Sequence, residues 1–338
     1  MDILPLEIVQ EIFHHLDFSD QINFQSASKY FYNSLRIYRL NRVKNLNDDI
    51  LMKFSYLKYL DIHNNPNIYN VYHLTNLQIL KATGSMCNLS NVYGCTNLTY
   101  LDTSGNSFIS TFNQLSKLKT LICHYLRNTN MDHGIKYCTN LTHLSIANCG
   151  FTQKSIINHV NLTKLNIYDV YHITNINHLT NLVALNISGT CNGIQNDGFS
   201  KCTNLVSLEM FNNKRVTNLN HLKKLTFLKA GYSNLHNQSI YDCTNLKQLL
   251  INNTKITSIN HLTNLTSLSI ASSHVDSMDI KMLTNLKKIN IRYNQKIKDL
   301  SHLSNLEILK LSCGQKVILP SQTNNLCLYY LSYMEKAD

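Results

Sequence analysis

Apolar residues recur along most of this chain in one fixed pattern, Leu-x-x-Leu-x-apolar, in which the intervening positions are mostly polar. Such alternation indicates a short β-strand that buries one face. The pattern occurs thirteen times at intervals of 19 to 23 residues. The first leucines of the thirteen units are Leu57, Leu77, Leu98, Leu118, Leu141, Leu162, Leu182, Leu205, Leu225, Leu246, Leu265, Leu286 and Leu306. Leu326 and Leu331 are positioned to close the series.

The residues that follow each strand pattern also place apolar positions inward. In five units they have the form apolar-x-x-apolar-x-His-Leu-x-x-Leu. A coil of about 20 residues cannot hold a full helix beside a strand and two turns, so we expect short helical turns or extended segments there. Each coil exposes an apolar flank until a neighbour covers it, and the terminal coils therefore need caps.

Repeated in this way over residues 57 to about 334, the pattern resembles that of the leucine-rich-repeat superfamily. The resemblance implies an α/β solenoid, a horseshoe with a parallel sheet on its concave face. That face is the usual binding surface of the superfamily.

The first 45 residues do not follow the repeat. Leu4, Ile8, Ile12 and Leu16 are spaced by four, which predicts an amphipathic helix with Pro5 near its first turn. Ser19-Asp20 can cap a second short helix, and Ser28 can cap a third.

The segment from Leu4 to Leu35, LPLEIVQEIFHHLDFSDQINFQSASKYFYNSL, resembles the F-box, which opens with Leu-Pro-x-Glu-apolar and ends in a Ser-Lys-aromatic stretch. Phe31 and Tyr32 stand where many F-box sequences have a tryptophan. The resemblance implies contacts with the Skp-type adaptor of cullin-based ubiquitin ligases. The matching positions are Leu4, Pro5, Ile8, Ile12 and Leu16. We therefore expect a three-helix F-box-like module at 1–45, leucine-rich repeats at 46–318 and a capping segment at 319–338.

Composition indicates an ordered protein that is neither secreted nor embedded in a membrane. The chain is 43% hydrophobic with only 3 Pro, and no window approaches the length of a membrane helix. Asp2, Glu7 and Glu11 lie where a signal peptide would be basic and then apolar. We expect an intracellular protein, cytoplasmic or nuclear. Its abundance of Asn, Ile, Lys and Tyr resembles F-box repeat proteins of large DNA viruses of protists, which would act in the host cell.

Cysteines and histidines recur at fixed places in the coils. Cys95, Cys138, Cys202 and Cys243 occupy a core position that holds leucine in other units. They are two coils or more apart, about 10 Å at least, which exceeds the limit of about 7 Å between bridged Cα atoms. A structural role in a reducing compartment follows. The histidines of the five similar units are His73, His178, His221, His261 and His302, and they are also too far apart to share a metal ion.

If the predicted register is correct, the third, fifth and seventh positions of each unit project from the concave face. The predicted partner-binding residues are Tyr59, Asp61, Tyr100, Asp102, Tyr168, Glu209, Phe211, Phe227, Lys229, Lys288 and Arg292. From Phe227 onward these positions, which include Lys310, carry no acidic residue. A partner with an acidic patch would complement the C-terminal coils.

The leading hypothesis is a protein-binding scaffold, the substrate-recognition subunit of a Skp-cullin-F-box type ubiquitin ligase, with an unknown target on the concave face. The alternative is a repeat module that acts outside a ligase, its helices serving only as a cap. The net charge of +11 is scattered without a basic run, so a nucleic-acid partner is the third and least favoured hypothesis. No catalytic, metal-binding or phosphate-binding motif occurs, and we expect neither an enzyme nor a cofactor.

Overall fold

The computed structural model describes residues 5–87, 89–106, 111–126, 134–321 and 326–331, without the side chains of 89–91 and 331. The chain divides into two compact units, Met1–Asn161 and Leu162–Asp338. Within the described ranges, the first unit contains a group of helices and six parallel strands, and the second contains nine parallel strands.

The first unit opens with three short helices, α1 (Leu6–His15), α2 (Phe18–Ser26) and α3 (Lys29–Ser34). Pro5 precedes α1 with a φ of −53°, close to the value that proline imposes. Ser28 caps α3, as predicted, because its hydroxyl accepts the N–H of Phe31 at 3.1 Å. The rings of Phe13, Phe24 and Phe31 form the small core that joins the three helices.

The predicted start of the second helix was wrong by two residues. Asp17, and not Ser19-Asp20, caps α2, because its carboxylate accepts the N–H of Asp20 at 2.9 Å. Ser19 lies inside the first turn. Asp17, Ser19 and Asp20 are all residue types that can cap a helix. Asp17 is the cap because the chain leaves α1 immediately before it, so that α2 begins at Phe18.

Five of the six strands of the first unit coincide with predicted repeats. They are β1 (Arg39–Asn41), β2 (Tyr59–Asp61), β3 (Ile79–Lys81), β4 (Tyr100–Asp102), β5 (Thr120–Ile122) and β6 (His143–Ser145), and each pairs in parallel with the next. The unpredicted strand is β1, where Arg39 is in register with Tyr59. It lies within the segment assigned to the helical module, so the sheet begins one strand before the first repeat.

The second unit contains the remaining repeats. Its strands are β7 (Lys164–Asn166), β8 (Ala184–Asn186), β9 (Ser207–Glu209), β10 (Phe227–Lys229), β11 (Gln248–Leu250), β12 (Ser267–Ser269), β13 (Lys288–Asn290), β14 (Ile308–Ser312) and β15 (Cys327–Leu331). Each of these strands also pairs in parallel with the next. The closing strand β15 begins next to Leu326, at the place where the sequence suggested an end to the series.

Short helical turns cross the other side of the coils, as their length predicts. Among the described residues, two are single α-helical turns, α4 (Asp48–Leu51) and α5 (Gln153–Ile156), and four are 3₁₀ turns, at Leu89–Gly94, Asn196–Phe199, Asn237–Ile240 and Met278–Ile280. The first and fourth leucines of the units fill the interior, for example Leu225 and Leu228, which are completely buried. The solenoid architecture is therefore confirmed in each unit.

The eighth position of the coils has a left-handed backbone that the sequence analysis did not predict. Gly84 and Gly105 adopt positive φ angles of 61° and 69° there. Other units place a different residue at this position, namely Asn64, Tyr125, Asn148, Asp169, Asn212, Tyr232, Asn253, Ser272 or Tyr293. The frequent Gly and Asn at one position of the repeat were a signal for this turn, since both tolerate the left-handed region.

Candidate protein-binding surfaces

Helix α1 exposes a row of apolar side chains. Ile8 is 49% exposed and Ile12 is 51% exposed, although both are large aliphatic residues. Residues four apart lie on the same face of a helix, so the two side chains form one patch. Pro5 is exposed at the start of this face, and Leu16 is partly buried at its end. The remaining predicted adaptor contact, Leu4, lies outside the described residues.

The opposite side of α1 is anchored. Phe13 is completely buried, and its carbonyl oxygen accepts a hydrogen bond of 2.9 Å from Nε2 of the buried Gln21. The side-chain amide of Gln10 bonds to both backbone groups of Arg36, with Nε2 to O at 3.1 Å and Oε1 to N at 2.9 Å. These contacts fix the helix, and they leave its exposed apolar row facing away from the rest of the first unit.

The apolar row extends beyond the positions that the sequence indicated. Leu6 and Ile22 are also more than a third exposed, and so are Tyr30 and Tyr32 of α3. The sequence predicted a short second helix without showing which of its apolar residues, Ile22 or Phe24, would be covered. Packing decided this, because Phe24 lies between Phe13 and Phe31 and turns Ile22 outward.

The sheet of the first unit presents Tyr59 and Tyr100 on its strand face, both partly exposed. The guanidinium of Arg39 lies 4.2 Å from the ring centroid of Tyr59, a cation–π arrangement. The pKa of the Tyr100 hydroxyl is raised, chiefly by burial and next by the Asp102 carboxylate. Tyr100 is therefore a neutral hydrogen-bonding group at physiological pH.

Asp61 lies on the same face but is only 3% exposed. Its carboxylate accepts the backbone N–H of His63 at 3.0 Å and forms an ion pair of 3.3 Å with Nε of Arg42. The sequence analysis selected Asp61 as a partner contact, and the structure engages it within the chain. Asp102 is more open, with one oxygen accepting the N–H of Ser104 at 3.0 Å.

These residues border a shallow groove of about 630 Å³ along the ends of the first strands. His124 lies on its wall, with Nε2 2.6 Å from the hydroxyl oxygen of Ser145. Burial lowers the pKa of His124, which keeps the ring neutral at pH 7. The groove thus offers neutral hydrogen-bonding groups, aromatic rings, one open carboxylate and the basic residues Arg42 and Lys81, a combination suited to a peptide segment.

The strand face of the second unit carries aromatic and basic residues. Tyr168 and Phe211 are exposed and Phe227 is partly exposed. Phe211 packs edge-on against Tyr232 with ring centroids 5.3 Å apart. Lys229 pairs with Glu209 at 3.5 Å, and both groups are well solvated, so we assign little energy to this pair.

Lys288 and Arg292 lie further along the same face, on the coil of β13. Lys288 is exposed and Arg292 is partly buried. Tyr293, the next residue, is exposed at the left-handed eighth position, as are Tyr125 and Tyr232. The sequence analysis missed these three tyrosines because it followed the strand alternation only to the seventh position. The recurrence of tyrosine at the eighth position of three units was a signal that could have identified them.

The repeated cysteines are core residues. The thiols of Cys95 and Cys138 each donate a hydrogen bond of 3.1 Å to a carbonyl oxygen of the preceding coil, Val71 and Phe112 respectively. Cys243 donates in the same way to Leu219 at 3.3 Å. Burial raises the pKa of the Cys95, Cys138 and Cys243 thiols to about 12, so they are poor nucleophiles and poor metal ligands.

The repeated histidines line the turns between coils. Nε2 of His302 lies 3.1 Å from the carbonyl oxygen of Ile280 in the preceding coil. His261 stacks on Tyr241 with ring centroids 5.3 Å apart, and burial lowers the pKa values of His221 and His261.

Within the described ranges, no three His, Cys, Asp or Glu side chains are grouped as metal ligands would be. In the same ranges, no helix has the length and apolar character that crossing a membrane requires.

Comparison with known proteins agrees with this architecture. The F-box domain model matches residues 1–42. The internalin InlF from Listeria monocytogenes has a similar structure, with a TM-score of 0.64 and 22% identity over 90% of this chain and 93% of the internalin. A leucine-rich-repeat protein of Leptospira interrogans gives a TM-score of 0.56 and 19% identity over 84% of this chain and 80% of its own.

The functional domain of InlJ from Listeria monocytogenes is also similar, with a TM-score of 0.53 and 20% identity over 87% of this chain and 62% of the InlJ structure. At these identities the likeness concerns the fold alone. No curated protein sequence matches the chain. The repeat fold and the N-terminal match confirm the leucine-rich-repeat and F-box resemblances noted in the sequence. The chain thus matches the F-box domain at residues 1–42, and the coils that follow have a fold similar to that of leucine-rich-repeat proteins.

Proposed function

We propose that this protein is a substrate-recognition subunit of a Skp-cullin-F-box type ubiquitin ligase. F-box and leucine-rich-repeat folds typically serve as scaffolds for protein interactions. In the proposed role, the N-terminal helices bind a Skp-type adaptor and the strand face of the repeats holds a target protein. The protein would act inside the cell, where such ligases work.

The apolar row of α1 is the observation that carries this proposal. Ile8 and Ile12 are half exposed on a helix whose other side is fixed by buried Phe13. Exposed aliphatic residues that are adjacent on one helix face favour a helix-mediated protein contact. Covering them would remove apolar area from water and would stabilise a complex.

The attachment of the helices to the repeats supports the second half of the proposal. The ring of Phe18 packs edge-on against Phe54 with centroids 5.8 Å apart, and Tyr38 accepts backbone hydrogen bonds from Lys58 and Tyr59. A module attached in this way would hold the first strands in a defined orientation to the adaptor. The strand face would then present tyrosine and charged side chains to a target.

Binding of the full chain to a purified Skp-type adaptor tests the proposal. We expect Ile8→Asp/Ile12→Asp to abolish binding, because two carboxylates would be desolvated in an apolar interface. The matched control is Ile157→Asp/Val160→Asp, which changes two other exposed aliphatic residues of the first unit. We expect the control to bind as the native chain does.

Undiminished adaptor binding by the Ile8→Asp/Ile12→Asp variant would reject the proposed interface. Failure of the native, folded chain to bind any Skp-type adaptor would favour the alternative, in which the helices only cap the first coil. The contacts of Phe18 with Phe54 and of Gln10 with Arg36 are the observations that would support such a cap.

A further inference from the structure

Three cationic side chains, Lys288, Arg292 and Lys310, lie together on the last coils of the second unit without an anionic partner. Among the described residues, none of the three forms an ion pair. Two other cations of the second unit are paired, since Lys287 pairs with Glu307 at 2.9 Å and Lys229 pairs with Glu209. The Nε of Arg292 is also buried without a hydrogen-bond partner.

No carboxylate on this face compensates these charges. The strand-face positions from β10 to β14 hold Phe, Lys, Gln, Leu, Ser, Asn and Ile residues and no Asp or Glu. On the side of β12, the neighbouring polar groups satisfy one another. Asn290 donates to the hydroxyl of Ser269 at 3.0 Å, and that hydroxyl donates to Asn252 at 2.9 Å. The positive charge is therefore local to β13 and β14.

The sheet register sets the spacing of the three cations. Lys288 is level with Ile308, and Asn290 is level with Lys310. Lys310 thus lies two residues further along the strand direction than Lys288, and Arg292 lies two residues further again. At about 3.3 Å per residue, the three positions are spread over roughly 13 Å in steps of roughly 6.6 Å.

The basic surface continues beyond the strands. A hollow of about 470 Å³ at their ends is lined by Tyr293, Lys298 and Lys316 among other residues, and none of the lining residues is acidic. The nearest carboxylate in sequence, Asp299, accepts the N–H of Ser301 at 2.8 Å within its own turn. The hollow adds two lysines and an exposed aromatic ring at the end of the row of cations.

We propose that this face binds an extended acidic peptide segment of a target protein, with carboxylates at alternate residues. In an extended chain, every second side chain points to the same side and is separated by roughly 6.6 Å, which matches the steps of Lys288, Lys310 and Arg292 along the strand direction. Lys310 is offset sideways by one strand, about 4.8 Å, a distance that its long side chain can span. Ile308, beside Lys288, provides apolar contact between the charges. This inference names the substrate class of the proposed ligase subunit and rests on that function.

A peptide fits the surface better than a nucleic acid does. Nucleic acids are held by long basic tracks that follow many phosphates and by rings that stack successive bases. Here the neighbouring strands β11 and β12 are neutral at the face positions Gln248, Leu250, Ser267 and Ser269. The charged region covers the length of a few residues only, which suits a short acidic segment.

Direct binding to labelled probes tests the inference with the full chain. The probes are a short peptide with Glu at three alternate positions, the same peptide with Gln at those positions, and a single-stranded oligonucleotide. We expect the Glu peptide to bind and the Gln peptide to bind at least about tenfold more weakly, because three solvated ion pairs are lost. Added salt should moderately lower the affinity of the chain for the Glu peptide.

The decisive variant is Lys288→Glu/Arg292→Glu/Lys310→Glu. We expect it to bind the Glu peptide at least about tenfold more weakly than the native chain does. The matched control is Lys214→Glu/Lys255→Glu/Lys281→Glu, which changes the net charge equally at exposed turn positions of the same unit. The control should retain binding within about twofold, and both variants should unfold at the temperature of the native chain.

Equal losses in the two triple variants would overturn the inference, because binding would then follow net charge alone. Equal affinity for the Glu and Gln peptides would overturn it as well, and so would an oligonucleotide that binds at these three cations when the Glu peptide does not. Adaptor binding is measured beside these tests. If the adaptor binds and the peptide does not, only this inference fails, whereas the reverse result rejects the proposed ligase role.

Discussion

Helix α1 and the repeat coils use aliphatic residues in opposite ways. In the coils, the first and fourth leucines of each unit are almost completely buried, as Leu246 and Leu249 are. In α1, Ile8 and Ile12 are half exposed although they follow an equally regular spacing. Regular apolar spacing therefore shows which residues share a face, and it does not show whether the protein itself covers that face.

The difference has a physical cause. A coil has a neighbour on each side, so its apolar flanks are buried by stacking. The helical module is too small to cover all of its own apolar surface, because three short helices enclose only a few aromatic rings. The residues left over are the candidates for binding another protein, and the four predictions that follow test this division.

The largest effect should come from Leu249→Ala. Leu249 is buried in β11, and its removal leaves a cavity, so we expect the free energy of unfolding to fall by about 2–5 kcal/mol. Leu250, the next residue on the same strand, is partly exposed on the strand face, and Leu250→Ala should cost less than about 1 kcal/mol. Urea denaturation measures both values. Equal losses would contradict the assigned strand register.

The next effect concerns Asn294, a buried polar residue at the turn after β13. Its Nδ2 donates to the carbonyl oxygen of Val275 at 2.9 Å, and its Oδ1 accepts the N–H of Lys296 at 2.9 Å. Asn294→Ala leaves these backbone groups unsatisfied, and we expect a loss of about 1–3 kcal/mol. Asn285→Ala removes an exposed bond of 3.0 Å to Thr263 and serves as the control. A control loss as large as that of Asn294→Ala would refute the role of burial.

A smaller effect should appear in the pH dependence of stability. Burial lowers the pKa of His221 and of His261 below the ordinary value of 6.5. The unfolded chain therefore binds more protons than the folded chain as the pH falls. We expect the stability contribution of these neutral rings to be complete above pH 6.5 and to decline below it.

Thermal unfolding between pH 7.5 and pH 5 measures this decline. The variant His221→Gln/His261→Gln should lose less stability over that interval than the native chain, because it lacks the two groups that must take up protons on unfolding. His236→Gln is the control, because His236 is not one of the repeated histidines of the five similar units. An unchanged pH profile in the double variant would show that these partly buried histidines do not contribute to the pH dependence.

The smallest effect on folding should come from Ile8→Ala/Ile12→Ala. Exposed side chains bury little area, so each substitution should change the free energy of unfolding by no more than about 0.5 kcal/mol. Adaptor affinity should fall nonetheless, since the contact area is lost. Calorimetric unfolding and adaptor titration of the same sample check both statements. A loss of stability comparable to that of Leu249→Ala would remove the distinction between α1 and the coils.

Much of the fold could be predicted from residues close in sequence. The thirteen units correspond to strands β2 to β14, and the Ser28 cap was correct. Strand β1 was missed because Ile37 and Leu40 are followed by Arg42 at the place where the repeat pattern requires an apolar residue, and its pairing with β2 makes it a strand. The choice of Asp17 over Ser19 as a cap also depended on the path of the chain between two helices.

The candidate surfaces were less predictable. The proposed strand-face residues follow from alternation, and their roles in binding stay predictions. Asp61 and Asp102 occupy the same place in their units, yet Arg42 engages the first carboxylate and leaves the second more open. Arg42 lies outside every predicted repeat, so no pattern within the repeats could reveal this ion pair.

The sequence by itself determined the coils, because the alternation that makes a strand and the leucines that fill a coil are local and recur in every unit. Tertiary structure decided which apolar side chains stay exposed, which charges find partners and how far apart Lys288, Arg292 and Lys310 lie. Those properties depend on contacts between residues about 20 positions or more apart, and side-chain types alone do not specify such contacts. Regularly spaced aliphatic residues can be buried or exposed, and the neighbouring elements determine which.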